Sequence, residues 1–389
     1  MTSTPGSSPA RFRELDSLRG LAALSVLSAH VLAVYPLLDD VPLDGVLAAL
    51  SVAVTSTPLG IVVTGGSAVR IFFVLSGFVL ALPFLAGRGD RWTVFAVRRV
   101  LRLWPPFVAA LVLAVALRMV APDRPLVGLG ESLQPNWQPP LTAEAVLLHV
   151  PLVTSFPYYT VDSPMWSLAH EMRISLVFPA LVALVLGLRW RRALLVGLAI
   201  GVAGAALGAV AGDSLVAPSQ TLQFVVLFVV GIALAKHRHS LTDRYQRLPA
   251  WMRLTGWVVA GGLYVWPNLP LPEVLTAPPL DNWAVMAGSA WTIVGVQSEP
   301  WLRTLLHRRT LTFLGDISYS LYLVHLPVLM AALSFGFGRA PTPVVLAIAV
   351  VTALLAATAL HAAVEQPAIG WSRAAGRRMR RARQPVPAA

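Results

Sequence analysis

Apolar residues run through this chain in long blocks. Ten of these blocks are about 17 to 25 residues long, which is the length that an α-helix needs to cross the core of a bilayer. Two shorter blocks, 43–57 and 143–156, are bounded by proline and are predicted to be interfacial or re-entrant. The pattern predicts an all-α polytopic membrane protein of about ten transmembrane helices, at 17–36, 66–86, 104–121, 165–187, 192–211, 219–236, 254–270, 281–298, 312–335 and 342–366.

Composition supports the same class. Of the 389 residues, 56% are hydrophobic and only 12% are charged, and the mean hydropathy is +0.70. Soluble proteins carry about 25% charged residues, roughly twice this fraction. The sequence contains no cysteine, which excludes disulfides, a cysteine nucleophile and thiolate metal sites. The net charge of +12 does not indicate a nucleic-acid partner, because the basic residues follow the predicted membrane loops.

These basic residues are divided very unevenly between the two sets of loops. The N-terminus, one alternating set of loops and the C-terminal tail carry nearly all of them, whereas the opposite loops carry only Arg124 and Arg339. By the positive-inside rule, both termini are predicted to be cytoplasmic. We expect a multi-pass protein of a bacterial cytoplasmic membrane, with a cytoplasmic tail at 1–13, a membrane domain at 14–370 and a disordered, Arg-rich tail at 371–389.

Ionisable residues inside the predicted spans are the first candidates for chemistry, since such groups are costly in a membrane and are rarely accidental. Arg19 and His30 are eleven residues apart on the first span, about 16 Å, and lie on nearly the same helix face. By depth, Glu171, His325 and Arg70 fall near the level of His30. A histidine beside a carboxylate suits general-base catalysis. The alternative is that these groups only pair to hold helices together. No second ligand accompanies His30 on its helix, so no metal site is predicted.

A basic stretch at 91–106 precedes the third span. Arg98, Arg99 and Arg102 cluster on one side of it, with apolar residues interleaved, which predicts an amphipathic helix at the inner interface. It has two possible roles. It is either a membrane anchor or a cationic seat for the phosphates of a cytoplasmic donor substrate, because arginine binds phosphate bidentately.

Six strings in a fixed order carry a resemblance to a known family. They are ELDSLRGLAALSVLSAH at 14–30, VRIFFVLSGFVL at 69–80, RRVLRLWPP at 98–106, SPMWSLAHEMRISLVFP at 163–179, LGDISYSLYLVHLP at 314–327 and HAAVEQP at 361–367. Together they resemble the acyltransferase-3 family of integral membrane O-acyltransferases. The resemblance extends over nearly the whole chain. It implies a ten-helix domain that transfers acetyl or related acyl groups to carbohydrates, lipids or antibiotics.

The resemblance also implies roles for individual residues. It marks the pair Arg19 and His30 as functional, together with Glu171 of the Trp-Ser-Leu-x-x-Glu string. Supporting positions that match the family's signatures are Trp166, Ser167, Phe72, Phe73, Ser76, Gly77, Tyr319, Tyr322 and His325. The sequence departs from the family pattern at Arg70, where many relatives have Asp, and at Arg173-Ile174, where they have an aromatic pair. These departures concern the acceptor rather than the reaction.

One mechanistic hypothesis combines these observations. Acyl-CoA, a co-substrate and not a bound cofactor, binds from the cytoplasm with its phosphates on the arginines of 91–106. His30 acts as general base on a hydroxyl of a carbohydrate or of a glycosylated lipid or metabolite, or takes the acyl group first. Glu171 orients the imidazole, and Arg19 lies toward the donor.

Two other classes of function remain open at this stage. Buried Arg, Glu and His also suit a secondary transporter, although the first five predicted helices show no motif echo in the last five. A non-enzymatic scaffold or sensor is the other alternative. It predicts that the intramembrane His and Glu tolerate apolar replacement.

Overall fold

The structure is a computed structural model that describes residues 12–37, 44–122, 126, 128–131, 133–210, 212, 215–269 and 271–381. Every regular element within these ranges is helical, which confirms the all-α class. The helices are α1 Arg13–Leu32, α2 Gly45–Ser56, α3 Gly65–Leu85, α4 Trp92–Val120, α5 Ala143–His149, α6 Tyr158–Val161, α7 Met165–Gly187, α8 Trp190–Val210, α9 Val216–Arg247, α10 Ala250–Val265, α11 Glu273–Thr276, α12 Leu280–Ser298, α13 Pro300–Leu306, α14 Arg309–Gly336, α15 Thr342–Leu360 and α16 Gln366–Arg381.

Each of the ten predicted spans coincides with a helix, and eight helical stretches are long and apolar enough to cross a membrane. The two outside this set are α10 and α12. Helix α10 has 16 residues, about 24 Å, which is shorter than a bilayer core of about 30 Å. Helix α12 has two buried polar residues, Asp281 and Asn282, in its first turn, and these lower the mean hydropathy of the helix. Ten spans therefore remains a prediction, while a polytopic membrane protein is what the helices show.

Helix α14 is the central helix of the bundle. Its most apolar window is 89% buried, compared with 22% for α8 and 28% for the α15–α16 stretch. Helix α14 packs against α1, α15 and α4, and α3 packs against α9 and α12. The apolar side chains of the peripheral helices face outward, toward the lipid. These helices tolerate lipid contact because their backbone polar groups are hydrogen-bonded within each helix.

Two glycines bring α1 and α14 together. A Cβ atom added at Gly20 would lie 2.5 Å from the backbone nitrogen of Gly315, so neither position tolerates a larger residue without displacing the partner backbone. His30 and His325 each lie ten residues further along these helices and contact one another. The two helices are therefore parallel and in register, and the glycine crossing places the two imidazoles side by side about 15 Å away.

The stretch 91–106 does not form the separate interfacial helix that was predicted. It forms the first half of α4. Helix α4 has 29 residues and passes through Pro105 and Pro106 without ending. Two adjacent prolines remove only the helix bonds to the carbonyls of residues 101 and 102, and their φ angle is compatible with a helix. At about 43 Å, α4 is longer than a bilayer core, so its first turns extend past the apolar region.

The prediction of a disordered tail from residue 371 is wrong up to Arg381. Helix α15 continues through a π-helical turn, His361–Glu365, into α16. Helix α16 is held against α4. The Ser372 hydroxyl donates to the Arg98 carbonyl at 2.8 Å, and Arg380 forms an ion pair with Asp90 at 3.0 Å. Tertiary contacts thus stabilise a stretch whose high charge by itself is typical of disorder. Residues 382–389 and most of the predicted N-terminal tail lie outside the described residues.

Candidate active site

The two histidines form a hydrogen-bonded pair at the level where α1 ends. His30 Nδ1 lies 3.3 Å from His325 Nε2, with ring centroids 5.1 Å apart. His325 is fully buried, and its Nδ1 lies 2.9 Å from the Tyr322 carbonyl and 3.1 Å from the Leu321 carbonyl. His30 Nδ1 is also 2.9 Å from the Val26 carbonyl. The prediction that His325 lies at the level of His30 agrees with this geometry.

These contacts define the tautomers, because a carbonyl oxygen can only accept a hydrogen bond. His325 Nδ1 therefore carries a proton, and its Nε2 carries a lone pair. The His30 Nδ1–H donates to that lone pair and to the Val26 carbonyl. His30 Nε2 is then unprotonated and makes no hydrogen bond to a residue that the structure describes. A neutral imidazole whose Nδ1–H is held and whose Nε2 is free is the form required of a general base or nucleophile.

This arrangement predicts the effect of replacing His325. His325→Leu removes the acceptor of the His30 Nδ1 proton, and the leucine side chain still fills the buried position in the central helix. We expect turnover to fall about 10- to 100-fold with little change in the Michaelis constants, because orientation of the base is only part of the 10²–10⁴-fold that acid–base catalysis contributes. The check is steady-state acyl transfer by purified protein. Unchanged turnover would show that the contact between the two rings has no catalytic role.

Tyr322 and Ser167 lie next to the histidine pair. The Tyr322 hydroxyl donates to the Pro164 carbonyl at 2.9 Å and lies 2.7 Å from Ser167 Oγ. The Tyr322 and His325 rings are 5.9 Å apart. Residues 160–165 are buried, so α7 begins inside the bundle beside α14 and not at its outer surface. These contacts hold the start of α7 at the level of the imidazoles.

Glu171 does not meet His30, contrary to the prediction. Its Oε1 accepts a hydrogen bond from Ser76 at 3.0 Å and forms an ion pair with Arg99. Arg99 also donates to Ser175 Oγ at 3.0 Å. The depth estimate was wrong because it placed the start of α7 at the outer membrane surface. Ser167 is at the histidine level, and Glu171 lies one turn, about 6 Å, deeper.

The ion pair belongs to a charged layer that we define by Arg19, Arg99, Arg102, Glu171 and Glu365. Arg102 interacts electrostatically with the other four members. Glu365 accepts a hydrogen bond from Ser320 Oγ at 2.7 Å, and His361 Nδ1 lies 2.9 Å from the same carboxyl oxygen. Neither Arg19 nor Arg102 has a hydrogen bond or ion pair with a described residue. The layer spans a range of depths: Glu171 lies about 6 Å below the histidine level, whereas Arg19 lies about 16 Å along α1 from His30.

The three arginines predicted to act together are separated by the fold. Arg98 pairs with Asp90, which also binds Arg380 of α16. Arg99 points to Glu171, and only Arg102 is left without a partner within the described ranges. Residues at i, i+1 and i+4 share a side only approximately. Helix α16 contacts α4 at Arg98, and α7 contacts α4 at Arg99, so the two neighbouring arginines acquire different partners.

A cavity of about 650 Å³ opens beside His30 and is called the His30 cavity. Trp166, Ala169, His170 and Arg173 of α7 line it, together with Arg70, which pairs with Asp281 and donates to Asn282 Oδ1 at 2.6 Å. Helix α7 therefore has two polar faces. Positions 166, 170 and 173 face the His30 cavity, whereas 167, 171 and 175 face the serines, tyrosine and arginine described above. His30 and Arg70, predicted to share a level, share this cavity.

Comparison with known proteins fits this arrangement. A family model described as an acyltransferase domain, that of the acyltransferase-3 proteins, matches residues 12–362. The chain belongs to the acyltransferase-3 family. It is similar to the acyltransferase MdmB of Streptomyces mycarofaciens, with 28% identity over 410 residues that cover 97% of this chain and 96% of that protein. No solved structure matches the chain. The protein is accordingly an acyltransferase enzyme, which disfavours the transporter and scaffold alternatives.

In this acyltransferase-3 protein, several polar residues have structural importance that the predicted site did not include. Asp281 neutralises Arg70, and Glu365 completes the charged layer. Asp162 is 1% exposed, and neither of its carboxyl oxygens has a hydrogen-bond partner in the described part of the chain. The signal available in the sequence was the presence of a carboxylate inside or beside an apolar block. This signal in the sequence does not show which cationic side chain pairs with the carboxylate.

Asp162 supplies a prediction about pH. Burial raises the pKa of the Asp162 carboxyl well above its usual value, so the folded protein keeps a proton that the unfolded chain releases above about pH 4. The free energy of unfolding therefore falls by about 1.4 kcal/mol per pH unit from this group until its folded pKa is reached. Asp162→Asn removes this loss. We expect its melting temperature relative to wild type to rise from pH 5 to pH 8. Asp243→Asn, at an exposed position, is the control, and a pH-independent difference would contradict the prediction.

Proposed function

We propose that this acyltransferase moves an acetyl or other short acyl group from acyl-CoA to a hydroxyl of a carbohydrate or of a glycosylated lipid or metabolite. One observation carries the proposal. His30 lines the His30 cavity, and its Nδ1 is hydrogen-bonded to Val26 and His325, which leaves Nε2 for a substrate. The charged layer lies on the other side of this imidazole along α1, so His30 stands between a site for an anionic donor and a cavity for an acceptor.

In the proposed reaction, His30 Nε2 takes the proton of the acceptor hydroxyl as its oxygen attacks the thioester carbonyl. The tetrahedral intermediate collapses with cleavage of the carbon–sulfur bond. The CoA thiolate leaves and receives the proton from the imidazolium. The product is an O-acyl ester and free CoA. During the step, the imidazolium is held through its Nδ1–H by His325 Nε2, and His325 itself is fully buried.

The proposed donor seat is formed by Arg19 and Arg102. The charged layer contains three guanidinium groups and two carboxylates, and Glu171 already pairs with Arg99. A surplus cation without an ion-pair partner among the described residues suits the phosphates of acyl-CoA. The positive-inside pattern of the loops supports entry of this donor from the cytoplasm.

A pair of variants on α4 tests this donor seat. Arg102→Gln is expected to raise the Michaelis constant for acetyl-CoA about tenfold and to weaken its dependence on salt, because a phosphate contact is lost. Arg98→Gln, one turn earlier and paired with Asp90, is the matched control and should leave this constant within about twofold. An unchanged constant in Arg102→Gln, or an equal rise in both variants, would assign the donor seat to other residues.

The activity itself is tested in purified protein. Comparison of glycans and secreted metabolites from a deletion strain and its parent by mass spectrometry identifies the acceptor. Labelled acetyl-CoA and this acceptor are then incubated with protein in detergent, where no gradient exists. We expect an alkali-labile O-acetyl ester and one free CoA for each ester formed. Absence of ester in detergent, with uptake of a solute in sealed vesicles, would favour the transporter alternative instead.

A further inference from the structure

The charge of the His30 cavity supports an inference about the acceptor, and this inference rests on the proposed function. The lining contains the guanidinium groups of Arg70 and Arg173 and the imidazoles of His30 and His170. No Asp or Glu lines the cavity in the part of the chain that the structure describes. A cavity lined by basic groups without acidic ones favours a negatively charged ligand.

The two arginines differ in how their charge is balanced. Arg70 forms an ion pair with Asp281, so its charge is neutralised locally. Among the described residues, Arg173 bonds only to neutral oxygens, donating to the Val153 carbonyl at 2.8 Å, to Thr221 Oγ1 at 3.2 Å and to the Ala217 carbonyl at 3.3 Å. Within that part of the chain, Arg173 is therefore the source of a positive charge at the cavity wall that no carboxylate balances.

The same wall offers surfaces for a sugar ring. Trp166 and His170 share the cavity face of α7 with Arg173, and the rings of Tyr158 and Tyr159 lie 4.7 Å apart at the rim. Aromatic faces pack against the apolar face of a pyranose, and the polar tips of Tyr and Trp can bond its hydroxyls. The arrangement places a cation, stacking rings and the base His30 around one volume of about 650 Å³, which is within the range of small-ligand sites.

We propose that the acceptor is an anionic glycoside, whose carboxylate or phosphate pairs with Arg173 while one of its hydroxyls is presented to His30. The charge of Arg173 discriminates between acceptors, and the chemistry remains that of the histidine pair. A carboxylate of an acidic sugar and a phosphate of a sugar phosphate offer the same oxygen geometry to a guanidinium. The experiment therefore contains both.

The test measures binding of three probes to purified wild-type protein in detergent without donor. The probes are glucose, glucuronic acid and glucose 1-phosphate, followed by isothermal titration calorimetry. We expect at least one of the two anionic probes to bind about tenfold more tightly than glucose, with the ratio falling as salt is raised. The anionic probe with the larger ratio identifies the source of the charge. Equal binding of all three probes by wild-type protein would overturn the proposal.

Variants connect the preference to Arg173. Arg173→Gln should reduce the ratio to within about twofold, whereas Arg173→Lys should keep most of it, because the charge is retained. Arg189→Gln, an exposed position just before α8, is the control and should keep the full ratio. A ratio preserved in Arg173→Gln would overturn the assignment. If Arg173→Gln fails to fold, the wild-type ratio, its salt dependence and Arg173→Lys still decide.

A further variant separates this inference from the proposed function. His30→Ala should lose acyl transfer and keep the binding ratio, since His30 supplies the base and not the discriminating charge. If His30→Ala loses transfer but neither the wild-type protein nor any variant prefers the anionic probes, the inference alone is refuted. An anion preference in protein whose transfer does not depend on His30 would refute the proposed mechanism alone.

Discussion

Replacement of His30 by alanine is expected to lower acyl transfer by at least about 10²-fold, the lower bound of what a general base contributes. His325 cannot replace the free Nε2 of His30, because the Nδ1 of His325 is bound to two carbonyls and its Nε2 accepts from His30. If His30 takes the acyl group first, the loss is larger still. The measurement is turnover of purified variant and wild-type protein in detergent.

Loss of activity in this variant will not reflect failed insertion. Removal of a polar side chain makes a membrane segment easier to insert. Leu21→Ala, at an exposed position on the same helix, is the matched control and should keep near-wild-type turnover. A His30→Ala protein that retains more than about a tenth of wild-type turnover would exclude His30 as the base.

Glu171→Gln is expected to produce the largest loss of stability. It leaves Arg99, a buried side chain that is 8% exposed, without its carboxylate and close to Arg102 of the charged layer. Removal of one partner of a buried ion pair costs about 3–5 kcal/mol because the other charge stays buried and unpaired. Thermal unfolding in detergent measures the effect. Replacement of both partners, Arg99→Gln with Glu171→Gln, should recover much of the loss, since no unpaired charge remains.

The pair of Arg253 and Glu299 provides the comparison. Its arginine is 30% exposed, so Glu299→Gln should cost at most about 1 kcal/mol, as for exposed ion pairs. Equal effects of Glu171→Gln and Glu299→Gln would show that the charged layer is solvated. A double variant less stable than either single variant would show that the serine contacts, and not the charges, hold α7 in place.

The position of Glu171 also changes the interpretation of its role. A carboxylate beside His30 would favour the protonated imidazolium. A neutral imidazole in that place accepts the same hydrogen bond without this bias, which suits the base role proposed for His30. Glu171 instead pairs with Arg99 in the charged layer. We therefore expect any effect of Glu171 on activity to be positional, through the proposed donor side of the protein.

The sequence by itself determined the class of the protein and the vertical order of its functional groups along the first helix. Apolar blocks of membrane length predict helices because the bilayer admits few other structures. The spacing of Arg19 and His30 predicts their separation and common face because helix geometry is constant. The equal offsets from Gly20 to His30 and from Gly315 to His325 explain why depth along α1 and α14 was predicted well.

Only the tertiary structure decided which groups meet. Depth is one coordinate, and a side chain also needs the right direction around its helix and the right starting level. Helix α7 starts inside the bundle, so Glu171 lies one turn deeper than it would if the helix began at the surface. At that depth its carboxylate pairs with Arg99. Packing of α16 on α4 brings Arg380 to Asp90, the partner of Arg98, so Arg98 does not act together with Arg102. The same packing orders residues of α16 that their charge alone would leave disordered. These outcomes depend on contacts between segments far apart in the chain, and no local pattern of residues encodes such contacts.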